Sequence, residues 1–526
     1  MRKNKKPMAS AKAAPVRHKL LRLAVAIASG LILAAAFPSK HFPIGPWFCV
    51  AMLMAASAGA RPRFAALCGY LQGIAFFTPT LTWLYATFRI HGNVSVLMSA
   101  VALGALVAVA SIFPGAFAWF FAWIWKRNSS WACLAAPFLW VALEFARGIL
   151  PSIGFPWNLI GYAAAHSLAL AQMTTLGGVW MLSFMVAGFN ALLVWVWVEL
   201  RRGRRTPVYA VAGLAVVIGA IVIFGDAWVP IEAPDHEARL VQPNFPEDEN
   251  ISRNWMDLHA GELAELERLS TAPEADGRAP GLVVWPEVPT PFSMQDSRFT
   301  ALTERIAKQT RDGFLSGVIE ERAKPGFGWQ FFNSAVLHDT AGRQTFLYDK
   351  IHLVPFSEYV PWASWFKFVQ NITLEVGNFQ QGSEYTVGTL PDGRQFSVYI
   401  CYEAVFPGEV RKFADYGAEL FVNISNDGWF GRTAGPAQHL DMARVRAIEN
   451  RRWLLRDTNN GFTVTVDPYG HETARLAPDI RGVLDARYGY RSDKTLYTRW
   501  GDWFPLLCAI VAVVILALSV FAKKGS

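Results

Sequence analysis

The chain has 526 residues, 53% of them hydrophobic and 17% charged, with a mean hydropathy of +0.24. A soluble globular chain is nearer a quarter charged, so these proportions predict contact with lipid and exclude disorder or a collagen-like repeat. The formal charge of +8 hides a split: residues 226–499 carry 38 acidic and 28 basic side chains, and the remainder carries 3 and 21. The basic residues punctuate apolar runs instead of clustering on a folded surface, which excludes nucleic-acid binding.

A membrane-spanning helix needs about 20 mainly apolar residues. Candidate spans are residues 20–37, 44–60, 64–88, 94–125, 131–145, 176–200, 208–224 and 504–521, eight in all, with a kink possible at Pro114. The N-terminus through Arg22, the pairs Arg61/Arg63 and Lys126/Arg127, the cluster at 201–205 and Lys523/Lys524 hold 18 Lys and Arg. All fall on one side if the spans alternate, and the opposite connections hold only Lys40, Arg89 and Arg147. The positive-inside rule then puts both termini in the cytoplasm and residues 226–499 on the far side. The first stretch looks like a signal-peptide core, but the spans that follow at once favour a retained helix. Inside the spans the ionisable residues are essentially Glu144 and, near the end of the same helix, Arg147. They read as one structural ion pair at a helix end, too little for a transport path. The bundle is expected to be a platform.

Residues 226–499 change to short β-rich runs alternating with amphipathic helices. Expected strands are 238–242, 282–285, 314–319, 334–338, 345–348, 396–401, 420–424 and 462–466, and expected helices are 255–269, 297–309, 408–416 and 438–450. A continuous apolar strand such as Leu282-Val283-Val284-Trp285 is expected in a sheet covered on both faces. The pattern predicts a layered α/β domain of one core. Domain limits are expected at 1–225, 226–499 and 500–526.

Cys49, Cys68, Cys133 and Cys508 lie in or at apolar runs, where a thiol behaves as a small hydrophobe, and Cys401 alone lies in the acidic segment. That set builds neither a disulfide framework nor a zinc quartet, and no metal or cofactor site is expected. Three expected strands end in chemistry: Trp285-Pro286-Glu287, Tyr348-Asp349-Lys350 and Ile400-Cys401-Tyr402-Glu403. A carboxylate, an amine and a thiol leaving three strands could converge at one sheet edge and carry acyl transfer. Glu287 could be the base of the thiol, with Lys350 and the Tyr402 N–H as oxyanion donors. Singly, each has an ordinary explanation as turn acid, surface charge or core filler; the ordered triple is far more specific.

In that order the three residues resemble the Glu–Lys–Cys set of the nitrilase superfamily, which uses an αββα sandwich. Further motifs resemble its membrane branch, the apolipoprotein N-acyltransferases. These are Gly154-Phe155-Pro156-Trp157, Val241-Gln242-Pro243-Asn244, Phe332-Asn333-Ser334, the run from His352 to Pro361, Ser425-Asn426-Asp427-Gly428-Trp429, Gln438-His439-Leu440 and Arg444-Val445-Arg446. A family Pro-Phe-Gly-Glu is replaced by Pro355-Phe356-Ser357-Glu358, and Trp255 stands for the aromatic residue after the first strand.

The resemblance implies a multi-pass bundle joined to a nitrilase-like domain in the bacterial inner membrane, catalytic domain periplasmic. It implies a ping-pong reaction. Cys401 would take an acyl chain from a phospholipid, typically phosphatidylethanolamine, and pass it to the α-amine of a lipoprotein's diacylglyceryl cysteine. Glu287 would be general base, and Lys350 with the Tyr402 N–H would bind the oxyanion. Glu358 and Glu403 would hold Lys350 and the charge balance, and Tyr402 and Asn333 would shape the pocket. A monomer without cofactor is expected. The run Val360-Pro361-Trp362-Ala363-Ser364-Trp365-Phe366-Lys367-Phe368 is expected to be an aromatic loop at the lipid headgroups. A tethered amidase or hydrolase with water as acceptor, and a non-catalytic lipid-binding scaffold, are the alternatives.

Overall fold

The computed structural model describes residues 13–38, 42–90, 94–150, 154–246, 255–288, 293–324, 326, 328–359 and 379–521. All eight apolar stretches are helical. They are α1 (Ala13–Ala34), α2 (Pro46–Ser57), α3 (Pro62–Thr80) with α4 (Thr82–Ile90), α5 (Val96–Trp125), α6 (Ser129–Gly148), and, after three short helices, two more. The short ones are α7 (Ile160–Ala164), α8 (Leu168–Ala171) and α9 (Thr174–Gly177), followed by α10 (Val179–Arg201), α11 (Thr206–Phe224) and, much later, the helix Trp503–Phe521. Five are long and apolar enough to cross a membrane, six if α3 and α4 count together. Of the eight expected spans, α1 and α2 do not meet that measure among the described residues. Helix α2 has 12 residues, about 18 Å of helix against a hydrocarbon core of about 30 Å, and α1 spends its first turns on Arg17, Lys19 and Arg22. Helices α3 and α4 meet at 49° just after Pro79, whose ring cannot continue the hydrogen-bond ladder.

Small residues let the bundle close. A Cβ on Gly69 would stand 2.1 Å from the Pro114 carbonyl oxygen, so α3 and α5 touch backbone to backbone there. The expected Glu144–Arg147 ion pair is not among the pairs formed by the described residues. Arg147 Nη1 donates to the carbonyls of Phe155 and Trp157, each at 2.9 Å, and Glu144 Oε1 accepts the Ile160 N–H at 2.8 Å. Both side chains satisfy backbone groups of the connection entering α7, groups that lipid could not satisfy.

The acidic segment forms two six-stranded sheets, ordered β12-β1-β2-β3-β4-β5 and β11-β10-β9-β8-β7-β6. The first holds β1 (His236–Gln242), β2 (Leu282–Val284), β3 (Phe314–Lys324), β4 (Gly328–His338), β5 (Gln344–Asp349) and β12 (Gly482–Tyr488). The second holds β6 (Gly388–Thr389), β7 (Gln395–Ile400), β8 (Leu420–Ser425), β9 (Trp453–Thr458), β10 (Thr463–Val466) and β11 (Glu472–Leu476). Strands β1–β2–β3 and β7–β8–β9 run parallel, and the other neighbours antiparallel.

The expected two-sided burial holds at β2. Leu282 and Val284 join the core between the sheets, while Val283 faces the helices Ala260–Thr271 and Ser297–Ala307. The helices Pro407–Asp415 and Gly435–Asn450 cover the other sheet through Val410, Phe413, Leu440 and Ala443. The result is an αββα sandwich. The expected helix over 255–269 is broken at His259 into Trp255–Leu258 and Ala260–Thr271. Strands β6, β9, β11 and β12 were not expected. The aromatic run 360–368 lies outside the described residues.

Bundle and sandwich share a core. Tyr402, Val405 and Phe406, just after β7, and Met442, Val445 and Ile448 of helix Gly435–Asn450 are buried in the same cluster as Trp83, Phe117, Trp157 and Val186 of the bundle.

Candidate active site

Three strand ends bring the expected trio together. Glu287 follows β2, Lys350 follows β5, and Cys401 follows β7 in the other sheet. At Gly317 on β3 an added Cβ would stand 2.5 Å from the Pro286 carbonyl oxygen and 2.8 Å from Glu287 Cα, so a glycine there lets the Glu287 segment lie flat on the strand. Lys350 N–H bonds Asn333 O at 2.8 Å, one step beyond the β4–β5 ladder. Cys401 opens a single turn, Cys401–Val405, with φ +49°. That left-handed conformation is uncommon for a residue with a side chain and costs of order 1–3 kcal/mol.

Four side chains close a ring. Lys350 Nζ lies 3.0 Å from Glu287 Oε1 and 2.9 Å from Glu358 Oε1, and Asn333 Nδ2 lies 2.8 Å from each of the same oxygens. The outer oxygens are also taken: Asn426 N–H donates to Glu287 Oε2 at 2.9 Å and Val354 N–H to Glu358 Oε2 at 2.7 Å. All four side chains are buried. Burial works against the Lys350 ammonium, but the Glu287 and Glu358 charges outweigh it and hold its pKa well above the usual lysine range. Burial, then the Glu287 charge, push the Cys401 thiol well up, with Lys350 only partly opposing. The resting group is therefore a neutral thiol, and attack needs a base in the same step.

Glu403 makes no hydrogen bond to Lys350 and acts on it only through its charge. Its Oε1 accepts from Tyr348 OH, Ile351 N–H and His352 N–H at 2.7, 2.7 and 3.0 Å, and its Oε2 from Ile400 N–H at 2.6 Å. It ties the chain after Lys350 to the chain before Cys401. Burial lifts its pKa to about 7 against those donors. Tyr402 turns toward the bundle, its ring stacked on Trp157 at 6.4 Å. Trp255 heads the one-turn helix Trp255–Leu258; its side chain lies outside the described ones.

Several neighbours of this site received no role from the sequence, although Trp157, Asn426, Asp427, Gln438 and His439 lie in the motifs that carry the resemblance. Trp157 Nε1 donates to Gln438 Oε1 at 2.7 Å, and Gln438 Nε2 donates to Thr80 O at the α3–α4 bend. Asn426 supplies a backbone donor to Glu287, and His439, Asp427 and Arg456 form a wholly buried cluster beside Cys401. Their signal was the polar residues Asn423, Asn426 and Asp427 at the end of an otherwise apolar strand, and the adjacent Gln438 and His439. In the bundle, a cleft of about 430 Å³, counted to its open mouth, is lined by Phe76, Phe77, Phe117, Glu144, Arg147 and Asn158 among others. Among the described residues no group of His, Cys, Asp or Glu is arranged to hold a metal ion.

Residues 29–192 match the model of the apolipoprotein N-acyltransferase N-terminal domain, and residues 238–497 that of the carbon-nitrogen hydrolases. The apolipoprotein N-acyltransferase of Geobacter metallireducens is 32% identical over 507 residues, 95% of each chain. That of Azotobacter vinelandii is 31% identical over 514 residues, again 95% of each. Among solved structures, Saccharomyces cerevisiae Nit3, of the nitrilase superfamily, aligns at 18% identity and a TM-score of 0.37 over 49% of this chain and 91% of its own.

Proposed function

The chain belongs to the apolipoprotein N-acyltransferase family, and from that premise we propose that Cys401 carries an acyl chain from a membrane phospholipid to the α-amine of a diacylglyceryl-cysteine lipoprotein. The chain is an acyltransferase of the bacterial membrane; the donor, the acceptor and the residue roles are the reading offered here. Glu287 takes the thiol proton as Sγ attacks the ester carbonyl. Lys350 Nζ and the Tyr402 N–H receive the oxyanion. Collapse expels the lysophospholipid alkoxide, which regains the proton from Glu287, and leaves an acyl thioester. The lipoprotein amine then attacks the thioester, gives its proton to Glu287 and releases the Cys401 thiolate, which is reprotonated. Glu358 and Asn333 fix the ring around Lys350, and Glu403 fixes the chain on either side. Phosphatidylethanolamine is the expected donor.

The observation that carries this reading is that the nucleophile's turn, Cys401–Val405, keeps Cys401 in the sandwich core but buries Tyr402 and Val405 in the core of the bundle. A hydrolase of small soluble amides has no use for a nucleophile whose next residue packs among membrane helices. The 18 Lys and Arg on one side of the bundle support a sandwich on the periplasmic side with both termini cytoplasmic. The change from apolar helices to strands and back supports a division at 1–225, 226–499 and 500–526, and one chain supplies every residue of the site.

Mass spectrometry of the purified protein with phospholipid alone tests it. An acyl mass on Cys401, absent from Cys401→Ala and discharged by a lipopeptide with a free α-amine but not by its N-blocked form, is expected. Release of free fatty acid at the same rate with and without amine would make the chain a tethered hydrolase instead.

A further inference from the structure

His439 sits on helix Gly435–Asn450 with no exposure, and its Nε2 lies 2.9 Å from the main-chain oxygen of Cys401. A carbonyl only accepts, so Nε2 carries the proton. The other ring nitrogen, Nδ1, is 3.0 Å from Asp427 Oδ1. Asp427 is in turn fixed by Arg456 Nη2 at 2.7 Å and Ser425 Oγ at 2.8 Å. All four of these side chains are fully or almost fully buried, so the imidazole has one orientation.

The carbonyl that His439 holds belongs to the peptide joining Cys401 to Tyr402. The opposite end of that planar unit is the Tyr402 N–H, which a turn with i to i+3 bonds starting at Cys401 leaves unused. Fixing the oxygen fixes the N–H. Since Cys401 is held at φ +49°, a sparsely populated conformation, His439 adds to the turn's own bonding a second restraint on the direction of this peptide plane.

We propose that His439 is a positioning residue: by binding Cys401 O it locks the Cys401–Tyr402 peptide so that the Tyr402 N–H faces the developing oxyanion, and Asp427 and Arg456 hold the imidazole for that task. This rests on the reading of Tyr402 N–H as an oxyanion donor. The same helix anchors the bundle one residue earlier, through Gln438 to Trp157 and Thr80. The oxyanion donor is thus referenced to the membrane helices as well as to the sandwich.

The test uses the full-length protein in detergent and two reactions of one thiol. Acylation by phosphatidylethanolamine passes through an oxyanion; alkylation by iodoacetamide does not. His439→Asn keeps a group near Asp427 and loses the bond to Cys401 O, whereas His439→Gln keeps a donor that reaches it. Loss of one oxyanion donor costs about 10²–10³-fold in rate. His439→Asn should lose about that much acylation while alkylating at the wild-type rate, and His439→Gln should recover most of the acylation. Acylation unchanged in His439→Asn would overturn the proposal. So would acylation and alkylation falling together, or His439→Gln being as slow as His439→Asn. A wild-type protein that never acylates Cys401 would instead overturn the underlying reading.

Discussion

Lys350 Nζ and Glu358 Oε1 meet at 2.9 Å, and that one carboxylate oxygen also takes Asn333 Nδ2 at 2.8 Å. The ammonium is held between two carboxylates by two bonds of nearly equal length, so its position depends on both. Glu358→Gln removes one charge and sets an amide N–H₂ against the Val354 N–H that now donates to Oε2. Displacements of an ångström in a positioned group cost on the order of 10²-fold in rate. The acyl-enzyme of Glu358→Gln should form more slowly by about that factor, chiefly in kcat; a change confined to KM would argue against a role for Glu358 in placing Lys350.

The Cys401 thiol is raised by burial and then by the Glu287 charge. A raised pKa means that the thiolate is scarce at neutral pH and still increasing in alkaline solution. Alkylation by iodoacetamide should therefore climb with pH beyond about 8.5, the range of a free cysteine. Glu287→Gln deletes the second-largest cause, so its profile should move to lower pH, while its acylation falls by about 10²–10⁴-fold for loss of the base. A wild-type plateau near pH 7 would contradict this.

Arg446 Nε lies 2.9 Å from Glu449 Oε2, with neither side chain exposed. Glu449 Oε1 accepts the Val179 N–H that opens α10 at 2.7 Å, and Arg446 Nη2 donates to Tyr162 OH at 3.1 Å. Glu449→Ala would strand a guanidinium and a helix-end N–H inside the joint. Breaking one partner of a buried pair costs about 3–5 kcal/mol, so the thermal midpoint in detergent should drop sharply. A midpoint equal to wild type would mean that the joint does not depend on this pair.

Residue Gly393 turns the chain between β6 and β7 on the surface of the sandwich, and Ser526 ends the sequence. A reporter active only outside the cytoplasm should work at Gly393 and fail at Ser526. The reverse pattern would invert the topology argued from the 18 basic residues on one side.

The sequence made the three reactive strand ends legible because each is a short apolar run stopped by one chemically distinct residue. It also made the membrane helices legible as apolar lengths, though not their number. Whether 12 residues of α2 or the Pro79-broken pair count as spans depends on depth and angle. Strand β9 was missed because Arg456-Asp457-Thr458 reads as a polar loop. The Arg456 charge is tolerated in the interior because Asp427 stands 2.7 Å from it and Asn423 Oδ1 accepts from its Nη1. Pairings across that separation leave no periodicity to read. The resemblance implied for Glu403 a hold on Lys350 and the charge balance, whereas its oxygens are committed to backbone N–H groups of chain segments that only the fold juxtaposes.

The shared core has a developmental meaning. Severed from the helices, the sandwich would turn Tyr402, Val405, Phe406, Met442, Val445 and Ile448 to water, at about 1.5–3 kcal/mol for each large apolar side chain fully uncovered. That toll rivals the whole margin by which a domain holds its fold, about 5–15 kcal/mol. The turn that follows Cys401 therefore gains stability when the sandwich docks on its helices. A chain whose bundle has not assembled would hold Tyr402, the neighbour of Cys401, less firmly than the complete protein does.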